Sequence, residues 1–145
     1  MAKVIVVDPK AISGALSQLL QMIVGAEWEL KAGRPHASGT LSVAGAVRAV
    51  DLICDASLGY HSIAPNHRYA IELLATIPGT ASLVEDFSLC HTHKTGFNYS
   101  ASDLDLPEAQ DVLEAAKRLF VKAVAGVKEN GWFPQSLHES DFDLM

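Results

Sequence analysis

Apolar residues recur along this chain at spacings of three and four in five separate stretches, each bounded by residues that start or stop a helix. Asp8 and Pro9 place an acceptor at a cap and a proline in the first turn, where its missing N–H costs nothing. Ile12, Leu16, Leu19, Leu20, Ile23 and Val24 then carry one apolar stripe toward Lys31, and Gly33-Arg34-Pro35 breaks it. From Ser38 or Thr40 a second long helix is predicted. Its apolar residues, from Leu41 to Cys54, cover more than one face, and Ala44, Gly45, Ala46 and Ala49 are small enough for a close helix approach. Asn66 is placed to cap a short third helix running to about Thr76, after a loop through Gly59 and Pro65.

The fourth helix is predicted from Ser82, which has the capping-box spacing to Glu85. Leu83, Val84, Phe87 and Cys90 form its buried stripe, and Gly96 is expected to end it. The fifth opens on a second capping box, Asp105 with Glu108, and has Pro107 in its first turn. Its acids come early and its bases late, in the sense that the helix dipole favours, and Gly131 stops it. Residues 4–7 are either a short strand or an arm, a choice the pattern leaves open. Five helices with short connections make an all-α, mostly antiparallel, up-and-down bundle. We expect one domain over residues 1–134, followed by an acidic tail, 135–145, that frays or docks on a basic groove of a partner.

Composition narrows the class. A chain of 145 residues that is 49% hydrophobic and 19% charged is an ordered single domain rather than a disordered one. There is no apolar run near the length of a membrane span. The apolar run at residues 4–7 lacks a cleavage site of small residues, so it does not read as a signal peptide and the cytosol is the default compartment. Cys54 and Cys90 both fall in apolar helical patterns and read as buried thiols. The net charge is −6, and the tail holds three acids without Lys or Arg, which leaves −3 on the body. Neither value suits gripping nucleic acid by bulk charge, so any such contact is local.

Candidate chemistry gathers in residues 82–99, where Cys90, His91, His93, Lys94, Asn98 and Tyr99 lie within ten positions. Bases at the end of a helix also serve its dipole. His67 and Arg68 are cations at a helix start, against the dipole rule, and so mark a candidate ligand-binding point. Asp51 and Asp55 lie one turn apart on the second helix; with Arg48 one turn from Asp51 they read as a solvated face, with acid–base work as the alternative. Cys90, His91 and His93, with His61 or His67, are residue types that zinc accepts. His-x-His on a continuing helix points its two rings about 200° apart, which argues against one shared metal. No metal or other cofactor is assigned. Trp28, Tyr60 and Trp132 read as packing residues near helix ends.

The order of parts, with a wide second helix, Asn66-His67 opening a short third one and Lys94-Thr-Gly-Phe-Asn-Tyr99 closing the fourth, resembles the HEPN family (higher eukaryotes and prokaryotes nucleotide-binding domain) from about Ala11 to Gly131. That resemblance implies a helical bundle that homodimerises, and in many members a metal-independent ribonuclease. The family motif is an arginine, a polar residue and, some positions on, a histidine or tyrosine; Lys94, Thr95 and Tyr99 stand in those places. Lysine lacks the planar fork of arginine, and tyrosine is a poor base at neutral pH. The resemblance therefore implies a catalytically degenerate module, dimerising and binding a nucleotide, an RNA or a protein partner. The alternative is an active ribonuclease of a toxin–antitoxin or defence system, with Lys94, His93, His91 and Tyr99 as catalytic residues and His67, Arg68 and Asn98 binding ligand.

Overall fold

The computed structural model describes residues 3–99 and 105–143, and for residues 93–99 the backbone only. Among these, five α-helices form an all-α bundle: α1 (Ile12–Lys31), α2 (Pro35–Leu58), α3 (Arg68–Ala75), α4 (Ala81–Tyr99) and α5 (Leu106–Glu129). A small ribbon, β1 (Val4–Val6) with β2 (Tyr60–Ser62), and two 3-10 turns, Pro9–Ala11 and Glu139–Phe142, complete it. No described helix is long and apolar enough to cross a membrane.

The start signals act largely as read. Asp8 caps the 3-10 turn that leads into α1, its carboxylate accepting from the Lys10 N–H at 3.0 Å. Asp105 caps α5 by accepting from the Glu108 N–H at 2.7 Å. Three boundaries move. α2 starts earlier than predicted, with Pro35 in its first turn, and Ser38 lies buried inside it, donating to the Ala26 carbonyl on α1 at 2.8 Å. α4 starts at Ala81, because the Thr80 carbonyl accepts from the Val84 N–H; Ser82 is therefore within the first turn and does not cap. Thr80 is buried and its hydroxyl contacts the Leu74 and Ile77 carbonyls, each at 2.7 Å, tying the helix start to the end of α3. α4 also runs through Gly96 to Tyr99, since one glycine costs a helix only about 1 kcal/mol.

α2 is the centre of the bundle and packs against α1, α4 and α5. Its apolar breadth is consumed within one chain: Val43, Ala46, Ala49, Val50, Leu52, Ile53 and Cys54 are all buried. The small residues do permit close approach. A Cβ on Gly45 would stand 2.8 Å from Cδ1 of Ile23 on α1, and one on Gly126 of α5 would stand 2.9 Å from the Ala56 Cβ. Across α4 and α5, Arg118 makes a two-pronged pair with Asp86 at 3.0 and 2.9 Å, and Lys117 pairs with Glu27 of α1.

Leu83, Val84, Phe87 and Cys90 form the core-facing stripe of α4 as predicted, with Phe87 and Cys90 fully inside. Beyond α5 the chain turns at Gly131 and folds back on itself. Phe142 is buried, stacks on Phe120 at 6.0 Å between ring centres and meets Phe133 edge-on at 5.3 Å. Trp132 packs with this group and Tyr60 packs at the α2 end, whereas Trp28 is 71% exposed and is not a packing residue of this chain.

Candidate functional site

Two places in the fold concentrate chemistry. The first lies where the start of α3 meets α4. His67 precedes α3 and His91 lies on α4, and their rings meet edge-to-face at 5.5 Å between centres. Phe87, one turn before His91, supports the His67 ring at 6.1 Å. His91 is exposed and His67 half-buried, so the pair forms a step from the core out to solvent. Two of the residues named from sequence, one as ligand-binding and one as catalytic, are thereby brought together. Arg68 is not part of this pair. It is exposed, and lines a shallow groove with Asn66, Tyr69 and Lys3; the Asn66 side chain accepts from its N–H at 3.1 Å. His93, Lys94, Asn98 and Tyr99 are carried by α4, and their side chains lie outside the described residues. Cys90 and His91 diverge, the thiol turning inward to the Val112 carbonyl at 3.8 Å. Among the described residues no group of three or more His, Cys, Asp or Glu is arranged to hold a metal ion.

The second place is a cleft of about 320 Å³ between α2, the start of α1 and the β-ribbon. Its geometry begins at Gly59, whose left-handed backbone, φ 84°, ends α2 and turns the chain back. β2 then pairs antiparallel with β1, Ile5 opposite His61, and hydrogen bonds from Val7 to Gly59 and from Ile63 to Lys3 close both ends of the ribbon. The fold-back brings His61 to Asp55, six residues earlier on α2. A carboxylate only accepts, so the His61 Nδ1–H donates to Asp55 Oδ1, at 2.8 Å. The Asp55 side chain is 7% exposed and the His61 ring 23%. Arg48 and Asp51 face the same cleft.

The sequence reading of Asp51 and Asp55 as a solvated face is therefore overturned. Burial raises the Asp55 carboxyl above its ordinary range, opposed by the hydrogen bond from His61. Burial also pushes Asp51 up to about 6, against the attraction of His61 and Arg48 and with the repulsion of Asp55 adding to it. Cys54, buried between the two acids in sequence, is pushed up to about 12 by burial and then by their charges, and Cys90 reaches about 12 chiefly through burial. Both cysteines are unpaired, buried thiols, as expected.

The Asp55–His61 pair escaped the sequence reading although its signal was present. Val4-Ile5-Val6 consists of strand formers, and Tyr60-His61-Ser62 offers one, Tyr60, directly after a helix-ending glycine. No family model matches the chain, and no curated protein or solved structure matches it.

Proposed function

We propose that this chain is a HEPN-like, catalytically degenerate helical domain that dimerises and binds a nucleotide or a short single-stranded RNA segment at the α3–α4 edge, in the cytosol. The observation that carries this reading is the contact of His67 with His91. Imidazole rings offer a stacking face to bases and N–H donors to phosphate, and a pair presented from the core outward provides both at one point. Lys94 follows His91 by three positions on α4. The net charge of −6 limits the number of phosphates engaged, so affinity rests on few contacts and falls gently with salt. The buried thiols suit a reducing compartment. Dimerisation rests on the family resemblance, and a protein partner would engage the same edge.

The same pair favours one second reading, a metal-independent ribonuclease, because two adjacent imidazoles are the residue types needed for a general acid and a general base. Fluorescence anisotropy with labelled single-stranded RNA, in the presence of EDTA, tests both. Binding that weakens by about tenfold in Lys94→Ala and His91→Ala without strand scission supports the binding module. Scission lost in His91→Ala replaces it with the ribonuclease. Neither binding nor scission, of RNA or mononucleotides, refutes both.

A further inference from the structure

Arg48, Asp51 and Asp55 stand at i, i+3 and i+7 on α2 and line the cleft under the β-ribbon together with His61. Arg48 and Asp51 are spaced for an ion pair within the helix. Yet neither makes a hydrogen bond or an ion pair within 4.0 Å to another described residue, while Asp55 is committed to His61. The Asp55 contact takes the Nδ1 proton of His61 and leaves Nε2 as the ring atom that meets a ligand. The rest of the lining is mostly apolar, with Ile12 and Leu52 at depth and Ile5 and Val6 at the mouth, and with Asp8 and Gln18 as its other polar groups. Ile5 is 50% and Val6 73% exposed, so the chain itself leaves that apolar lip uncovered.

Charge and shape together select a ligand class. Asp8, Asp51 and Asp55 line the cleft and disfavour a phosphate or other polyanion. A simple amine satisfies the acids and leaves Arg48 unused. We propose that the cleft binds a small zwitterion of the amino-acid class, its ammonium group at Asp51 and His61 Nε2, its carboxylate on Arg48 and its apolar side chain under Ile5 and Val6. Arginine holds a carboxylate through two parallel N–H donors, which fixes the orientation of the bound molecule. The apolar lip then favours branched aliphatic side chains over polar ones. This site is separate from the His67–His91 pair and does not depend on the function proposed there.

The test is calorimetric titration of the full chain with leucine, leucinamide, isopentylamine and N-acetyl-leucine, after a thermal-shift screen of the common free amino acids at millimolar concentration. Leucine or another branched member is expected to bind, and loss of either charge to weaken it by about tenfold or more. Asp51→Asn is expected to weaken binding of the zwitterion and leave the chain folded, since the neutral side chain suits a half-buried position. Arg48→Gln is expected to remove the preference for leucine over leucinamide. Equal binding of leucinamide and leucine by the unaltered chain would overturn the role of Arg48 and assign the cleft to organic cations, among them peptide N-termini. N-acetyl-leucine binding as well as leucine would overturn the role of the acids, and a screen without any amino-acid ligand would overturn the proposal.

Discussion

Replacing Asp51 by asparagine should stabilise the protein, and by an amount that depends on pH in a defined way. Burial moves the carboxyl from an ordinary 3.8 to about 6. Holding that carboxyl at about 6 costs the ionised form about 3 kcal/mol in the folded state. Asp51 is half-buried and keeps some water, so about 2 kcal/mol is the working figure. The folded chain holds this proton more tightly than the unfolded chain does. Below pH 3.8 both states are protonated and the group contributes nothing; as pH rises toward 6 the unfolded state loses its proton first, and stability falls. Above 6 the penalty is complete. Asparagine has the same size and no proton to lose. Urea unfolding at a series of pH values between about 4 and 7 should show the variant gaining about 2 kcal/mol on the unaltered chain across that range, with a melting temperature roughly 5 °C higher at neutral pH. Asp55 and His61 interact with Asp51, so the difference reports the loss of Asp51 together with the relief of its repulsion on Asp55. A difference that does not change with pH, or a variant less stable at neutral pH, would refute the reasoning.

Other expectations concern packing and access. Gly126→Ala puts a Cβ 2.9 Å from that of Ala56, with backbone on both sides and little room to yield; denaturant titration should show a loss of about 1–3 kcal/mol. Phe142→Ala removes a buried ring that stacks on Phe120, and the expected cost of about 3 kcal/mol would show that the acidic tail is structural. A variant as stable as the parent would mean the tail is dispensable to the core. Cys54 and Cys90, buried and held up to about 12, should resist alkylation in native buffer and react fully in denaturant; mass spectrometry after iodoacetamide reads this directly.

How much was legible in the sequence differs by scale. The helices were legible because each carries its own stripe and its own caps; Asp105 with Glu108 is a signal contained in four residues. Boundaries failed where tertiary contacts compete with local ones. Ser82 has the right spacing to Glu85, but Thr80 is tied to α3 and starts α4 earlier. The breadth of α2 was visible, while its use was not, because the pattern of one helix cannot say whether a second chain or three neighbouring helices will cover it.

Site residues divide in the same way. His67 was marked because a cation at a helix start breaks a local rule, and its meeting with His91 follows from the turn joining α3 to α4. Asp55 was misread because helical spacing alone put it beside Arg48 and Asp51, on an apparently wet face. What buries it is a ribbon between residues almost sixty positions apart, Val4 with Ser62 and Val6 with Tyr60, and two three-residue strands leave almost no periodic signal.

The central claim is that His67 and His91 act as one binding point for RNA or a nucleotide. A double-mutant cycle on RNA affinity tests it most directly, using His67→Ala, His91→Ala and the combined variant, each checked for an unchanged melting temperature. If the rings form one site, each single change weakens binding by about tenfold and the double variant is little worse than either, a coupling of about 1 kcal/mol or more. Effects that add in full, or single variants that bind as tightly as the parent, would contradict the account and move the search for its function to the cleft under the β-ribbon.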